Sequence, residues 1–403
     1  MPTRLFAPRR ALAVLAVAAA LTACGIDQAS DPTVTTGPCQ VTDGPVAVAV
    51  ASRANTPAAE PLPAGVVGVL DQVVRRVGQD GTGPEISLIA VDGAPFVVGG
   101  QAFQPSSHND SALAREREAY LTEIGRGVAE AKARTGEADI LRGLDVAARQ
   151  ARAQGAGTVV LVDSGLQTVA PLDFREPGLL QADPTELAEF LRTSGSLPDL
   201  SGLTVLLYGI GDTAAPQEPL GTAARSRLVE QWSAIVAAGG ATCSYVDQTP
   251  RTGAAPSGSP AVSIVDIDPP VTLDMSGSQP IKLTDGGEVG FVTGKSDFRD
   301  PDGAAKVLRP LAGWLAADPA RGLHLTGTTA RSGTDDYQLD LSRQRAERVR
   351  RTLADLGADP SRVVAVGVGS RFPQYVHDAG PDSELLPGPA AENRSVIIEL
   401  QGA

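Results

Sequence analysis

The sequence predicts an α/β fold: a doubly wound, mainly parallel sheet followed by a smaller α+β domain of β-α-β-α-β order. Three observations carry this. Short apolar runs rich in β-branched residues alternate with segments whose apolar residues recur every three or four positions, as buried parallel strands and amphipathic helices do. A Pro-, Gly-, Ser- and Thr-rich stretch, residues 249–260, interrupts the alternation and reads as a flexible linker. The alternation then resumes over residues 261–403.

Taken in order, "PVAVAVAS" (45–52) reads as a buried strand, and Val66, Val69, Leu70, Val73 and Val77 mark a helix. "EISLIAV" (85–91) is a second strand. Leu113, Tyr120, Ile124, Val128 and Ala131 outline a helix whose apolar face Arg117 interrupts, and Ile140, Leu144, Ala147 and Ala151 outline another. Strands follow at "GTVVLVD" (157–163) and "LTVLLYGIG" (203–211), then a helix around Leu228, Trp232, Ile235 and Val236, then a closing strand at "ATCSYVD" (241–247). Past the linker, short strand-like runs are predicted from Val262 to Leu283, and "EVGFVTGKSDFRDPDG" (288–303) leads from a strand into a helix capped by Asp300 with Pro301 at its first position. The strand "GLHLTGT" (322–328), a loop, a helix from Ser342 to Leu356 closed by Gly357, and strands at 363–369 and 393–400 complete the chain.

The formal charge of −13 argues against a nucleic-acid partner and against a polybasic membrane patch, since both need a basic surface. Aromatics at 4% leave little for stacking on bases or flat glycans. The first domain contains no nucleophile elbow, phosphate loop or metal motif, and His108, His324 and His377 stand in unrelated contexts. The chain is therefore expected to be neither an enzyme nor a carrier of a cofactor.

Residues 1–23 have the zones of a secretory signal: Arg4, Arg9 and Arg10, then a short apolar stretch from Ala11 to Leu21, too short to remain as a membrane span. "LTAC" (21–24) resembles the lipobox of bacterial lipoproteins, in which the cysteine, here Cys24, becomes the acylated first residue. Residues 24–40 then read as a tether, and the body as extracytoplasmic and lipid-anchored to the cell membrane. Cys39 and Cys243 remain. Such a setting permits a disulfide between them, the alternative being two unpaired buried thiols.

Residues 41–248, above all "GEADILRGLDVAARQARAQGAGTVVLVDSG" (136–165), resemble a von Willebrand factor A domain. That family holds a divalent metal through an Asp-x-Ser-x-Ser loop, a threonine and a later aspartate. Here the loop reads "ASRAN", with Ala51, Arg53 and Asn55, the threonine position is Ala138, and only Asp163 matches. One carboxylate beside an arginine does not satisfy a hard cation, so no metal is expected and the domain reads as an interaction module.

The last domain resembles the OmpA-like domains that bind peptidoglycan. The matching residues are Phe291, Gly327, Thr329, Gly333, Tyr337, "LSRQRA" (341–346), Gly369, Pro373 and the Asn393–Arg394 pair. The resemblance implies that a loop aspartate and the motif arginine grip diaminopimelate of the stem peptide. The chemistry suits a zwitterion, since a carboxylate can hold its ammonium while a guanidinium takes its carboxylate. The arginine is Arg345, but the aspartate position is Ala330. Either Asp335 or Asp336 turns inward as a substitute, or the domain accepts a different wall peptide; Ser342, read as the cap of the following helix, would put Arg345 in its first turn against the dipole.

The expected ligand set is thus Thr329, Ala330, Gly333, Asp335, Asp336, Ser342, Arg345, Asn393 and Arg394. The expected partners are peptidoglycan, the membrane through the lipid, and another envelope protein. Two alternatives stand beside this: an envelope scaffold whose OmpA-like domain has lost its ligand, and a hydrolase built on the strand-edge loops of the first domain.

Overall fold

The computed structural model describes residues 39–79, 81–267, 273–277 and 279–402. The signal segment, Cys24 and nearly all of the tether lie outside the described residues.

The first domain is built on β1 (Val46–Ala51), β2 (Glu85–Val91), β3 (Phe96–Ala102), β4 (Thr158–Val162), β5 (Thr204–Tyr208) and β6 (Cys243–Asp247). They form one sheet in the order β3-β2-β1-β4-β5-β6, parallel except for β3, which runs antiparallel to β2 at one edge. The central strand β1 is buried throughout, which is why it reads as a continuous apolar run. Its side chains alternate between two cores. Val46, Val48 and Val50 face α1 (Ala64–Arg75) and α2 (Asp110–Glu130), while Ala47 and Ala49 face α3 (Ile140–Ala151), α4 (Pro184–Thr193) and α5 (Thr222–Ala238).

Two of these elements, β3 and α4, were not predicted. Strand β3 contains two glycines and exposes Val97 and Val98, so it lacks the buried apolar signal. Helix α4 is short, yet its start is marked: Asp183 caps it, accepting from the Thr185 and Glu186 amides, and Pro184 sits at its first position. Cys39 and Cys243 are joined in a disulfide, which ties the segment ahead of β1 to β6.

The predicted linker is irregular, as its composition implies, but it is not a free tether. Arg251 donates to the Asp212 carboxylate through its amide and to the Ala58 carbonyl through its side chain. Ser259 donates to the Ser52 carbonyl. Residues 261–267 carry no strand; Val265 enters the core beside α5, and Asn55 donates to the carbonyls of Val262 and Ser263. The strand-like run from Val262 to Leu283 thus reduces, among the described residues, to β7 (Ile281–Thr284).

The second domain adds β8 (Gly322–Gly327), β9 (Val363–Gly367) and β10 (Ser395–Gln401), in the order β7-β10-β8-β9. Strands β8 and β9 are parallel, and β10 is antiparallel to its two neighbours. Helices α6 (Pro301–Ala316) and α7 (Asp335–Asp355) share a core with the sheet through Leu308, Leu311, Leu315, Ala346, Val349 and Leu353. Asp300 caps α6 as predicted, with Pro301 at its first position. Phe291 forms an isolated bridge with Phe298, where a strand was predicted.

The start of α7 differs from prediction. Its cap is Thr334, whose hydroxyl accepts from the Tyr337 amide at 3.3 Å, and Asp335 and Asp336 form the acidic first turn. Two acids at the positive end of the helix dipole are a better start than Ser342 followed by an arginine. Ser342 is therefore inside the helix, and Arg345 lies well past the first turn, so the dipole does not oppose it.

A short helix, α8 (Pro387–Asn393), joins the two domains: Ala391 belongs to the core of the first. At Gly178, which has φ of 77°, an added Cβ would meet the Gly388 carbonyl at 2.3 Å, so the two backbones meet where side chains would not fit.

Candidate functional site

At the carboxyl end of the first sheet, where such sheets place ligands, a guanidinium occupies the acid's surroundings. Arg53 donates to both oxygens of Asp163, at 2.6 Å and 2.8 Å, and to the Val91 carbonyl at 3.2 Å. Both side chains are almost completely buried. The bidentate pair uses the carboxylate that a metal would need. Asn55 is turned toward the segment after β6, and the Ala138 amide is held by the Thr168 hydroxyl. No group of three or more potential metal ligands occurs among the described residues.

A cavity of about 160 Å³ lies in the second domain at the loop after β8. Its wall includes Thr329, Ala330, Ser332, Tyr337, Gln338, Leu341, Arg345 and Arg394, together with Asp285, Thr293 and Gly294. One wall residue, Glu186, comes from α4 of the first domain.

Arg345 is 3% exposed. Its Nε donates to the Lys295 carbonyl at 3.1 Å, and the guanidinium lies 5.0 Å above the Phe291 ring. Neither terminal nitrogen has a hydrogen-bond partner among the described residues. The buried hydroxyl of Thr329 in the same wall also lacks a partner among the described residues. Buried donors are ordinarily satisfied by protein, water or ligand, and the terminal nitrogens of Arg345, in the cavity wall, have no such protein partner among the described residues.

The "LSRQRA" motif explains how Arg345 is aimed. The Ser342 hydroxyl donates to Leu339 and accepts from the Gly369 amide, fastening α7 to the loop after β9. Ala346 is fully buried against the sheet. With these two fixed, Arg345 projects toward the end of β8.

Charge in the site is balanced by pairs. Burial pushes the Asp285 carboxyl up, but Arg345, Arg299, the Phe291 amide and Arg394 together outweigh it and hold it below the usual aspartate range. Arg394 donates to both oxygens of Glu186, at 2.6 Å and 2.7 Å. Burial pushes the Glu186 carboxyl up, and Arg394 only partly offsets it. Burial lowers Arg345, with Asp285 opposing.

Of the predicted ligand set, Thr329, Ala330, Arg345 and Arg394 meet at the cavity. The others do not. Asp335 is on the outer surface, paired with Arg371, and Asp336 is exposed, so neither replaces the acid missing at Ala330. Both are exposed residues of the first turn of α7, whose Tyr337 and Gln338 face the cavity instead. Gly333 lies in the loop outside it. Ser342 is buried with its hydroxyl engaged, and Asn393 is buried with its amide holding the Val376 backbone and Asp378. Glu186 and Asp285 were missed because neither lies in the matched motif. Glu186 had a signal only in the cap ahead of it, and Asp285 only in its place after an alternating, strand-like stretch.

The OmpA family model matches residues 291–384, and these residues form an OmpA-family domain. The outer membrane porin F of Pseudomonas fluorescens is 39% identical over 66 residues, which are 16% of this chain and 20% of the porin. The chain thus spans about a fifth of that curated relative. Among solved structures, the peptidoglycan-associated lipoprotein of Burkholderia pseudomallei is 27% identical over 30% of this chain and 89% of that one, with a TM-score of 0.24. The periplasmic domain of Helicobacter pylori MotB is 18% identical over 31% of this chain and 77% of that one, with a TM-score of 0.25.

Proposed function

We propose that this chain is a cell-envelope lipoprotein, anchored through Cys24, that associates non-covalently with peptidoglycan through its OmpA-family domain. The observation that carries the reading is Arg345: a buried guanidinium whose two terminal nitrogens have no partner among the described residues, in a cavity of about 160 Å³ at the motif position. A carboxylate presented by a stem peptide would satisfy both nitrogens at once. The Cys39–Cys243 disulfide agrees with an extracytoplasmic setting.

The first domain is, on this reading, a von Willebrand A-like interaction module with a doubly wound sheet. Its strand order β3-β2-β1-β4-β5-β6 supports that layout, and the Arg53–Asp163 pair supports a module that works without a metal. The protein binds and does not catalyse. A second reading, an envelope scaffold that has lost its wall ligand, is favoured by Ala330 alone.

Sedimentation of the full chain with purified, protein-free cell wall tests the main reading, with Arg345→Ala beside wild type. Wild type should co-sediment and Arg345→Ala should stay in solution. Equal behaviour of the two would discard wall binding through this site. Lipidation is read separately, by incorporation of a labelled fatty acid that Cys24→Ser should abolish.

A further inference from the structure

We propose that Glu186 of the first domain is the acidic half of this cavity, so that the ligand is gripped between two domains. The proposal rests on the wall-binding reading above and names the residue that completes its site.

Within the second domain the cavity has an anion-seeking group, Arg345, and no available acid among the described residues. Ala330 offers a methyl, and Asp335 and Asp336 point outward. Asp285 lines the wall, but it receives the Phe291 amide and the Arg299 guanidinium and is hemmed in by three arginines. An ammonium beside it would face more positive than negative charge.

Glu186 is differently placed. It enters from α4, and both its oxygens accept from one nitrogen of Arg394. A carboxylate has about four acceptor positions, so lone pairs remain for a second donor. Its position is rigid: the Asp183 cap holds the first turn of α4 and bonds the Thr293 hydroxyl on the cavity rim. Glu186 also sits near enough to Arg345 for its charge to favour the guanidinium.

The cavity therefore presents a guanidinium on one domain and a carboxylate on the other. The complementary ligand is a compact zwitterion, such as the free end of a diamino-acid side chain that bears ammonium and carboxylate on one carbon, with its carboxylate on Arg345 and its ammonium on Glu186. A neutral sugar or a simple anion would use one half only. One consequence is that wall binding depends on how the two domains are docked.

The test uses the full chain and purified cell wall whose stem peptides carry diaminopimelate, comparing wild type, Arg345→Ala, Glu186→Gln and the double variant Glu186→Gln with Ala330→Asp. Glu186→Gln should weaken binding roughly tenfold to a hundredfold, the effect of one charged hydrogen bond. The double variant should recover most of that loss, because Ala330→Asp restores a carboxylate to the same wall. Recovery also separates a lost charge from a disturbed domain contact. If wild type binds, Arg345→Ala does not, and Glu186→Gln is unchanged, wall binding stands and the proposal falls. A Glu186→Gln variant that binds more tightly overturns it too, making Glu186 a plug in place of a ligand group. Weakened binding that Ala330→Asp fails to recover also overturns it. Failure of wild type to bind at all removes both readings.

Discussion

Glu186 and Arg394, 208 residues apart in sequence, form an ion pair that spans the two domains, with both carboxylate oxygens on one guanidinium nitrogen. Their side chains are 22% and 10% exposed, so the pair is largely removed from water. Breaking such a pair by removing one partner leaves a buried charge uncompensated and costs roughly 3–5 kcal/mol. Because Glu186 retains some solvent, Glu186→Ala should fall near the lower end. Removing both partners should cost less than the sum of the single changes. Denaturant unfolding of the two single variants and the double variant measures the coupling, and additive losses would show that the contact holds nothing together.

Arg53 and Asp163 make the same point inside one domain. Arg53→Ala should destabilise by roughly 3–5 kcal/mol, because it strands a carboxylate at the carboxyl edge of β4. Replacing the pair together, Arg53→Met with Asp163→Leu, should recover much of the loss. Unfolding midpoints decide between these outcomes. If Arg53→Ala gained stability on adding calcium or magnesium, the uncovered carboxylate would be acting as a cation ligand.

Acid should act on the second domain through Asp285. Its carboxyl is held below the usual 3.8 by Arg345, Arg299, the Phe291 amide and Arg394 acting against burial. A group with a lowered folded pKa binds fewer protons when folded than when unfolded, so stability rises with pH across that interval. Its contribution is present above the usual aspartate value and lost as pH falls through the lowered one. Wild-type melting temperature should therefore drop more steeply than that of Asp285→Asn in the acid range, with the variant less stable at neutral pH. Parallel curves would assign the acid sensitivity to other groups.

The sequence foreshadowed the elements better than it foreshadowed the site. The strands β1, β2, β4 and β5 were legible because they are buried on both faces, which leaves an uninterrupted apolar run. Arg345 was legible because a short motif carries it. Ser342 was misplaced because a serine ahead of a helical stretch has the signature of a cap, whereas the true cap, Thr334, stands before two aspartates that resemble a polar loop. Glu186 was out of reach for a different reason. The place proposed for it depends on α4 meeting Thr293 and Arg394, a long-range relation with no local pattern. The linker shows the same limit, since its Pro, Gly and Ser content describes irregular backbone correctly and says nothing of the hydrogen bonds that Arg251 and Ser259 make.

A substitution remote from the cavity should also disturb it. At Gly367, the end of β9, an added Cβ would lie 2.2 Å from the Arg343 amide nitrogen and 2.5 Å from the Ser342 hydroxyl. These atoms belong to α7 backbone and to its fastening onto Gly369, so the conflict cannot be relieved by turning a flexible side chain. Gly367→Ala should push α7 away from the sheet, at a cost of about 1–3 kcal/mol for overpacking. Arg345 rides on that helix, and its guanidinium would leave the Lys295 carbonyl and the Phe291 ring. Wall binding should then fall even at temperatures where the domain stays folded by circular dichroism. A folded Gly367→Ala protein with wild-type binding would mean that the grip tolerates a shifted α7, and that Arg345 need not be held as tightly as its buried packing implies.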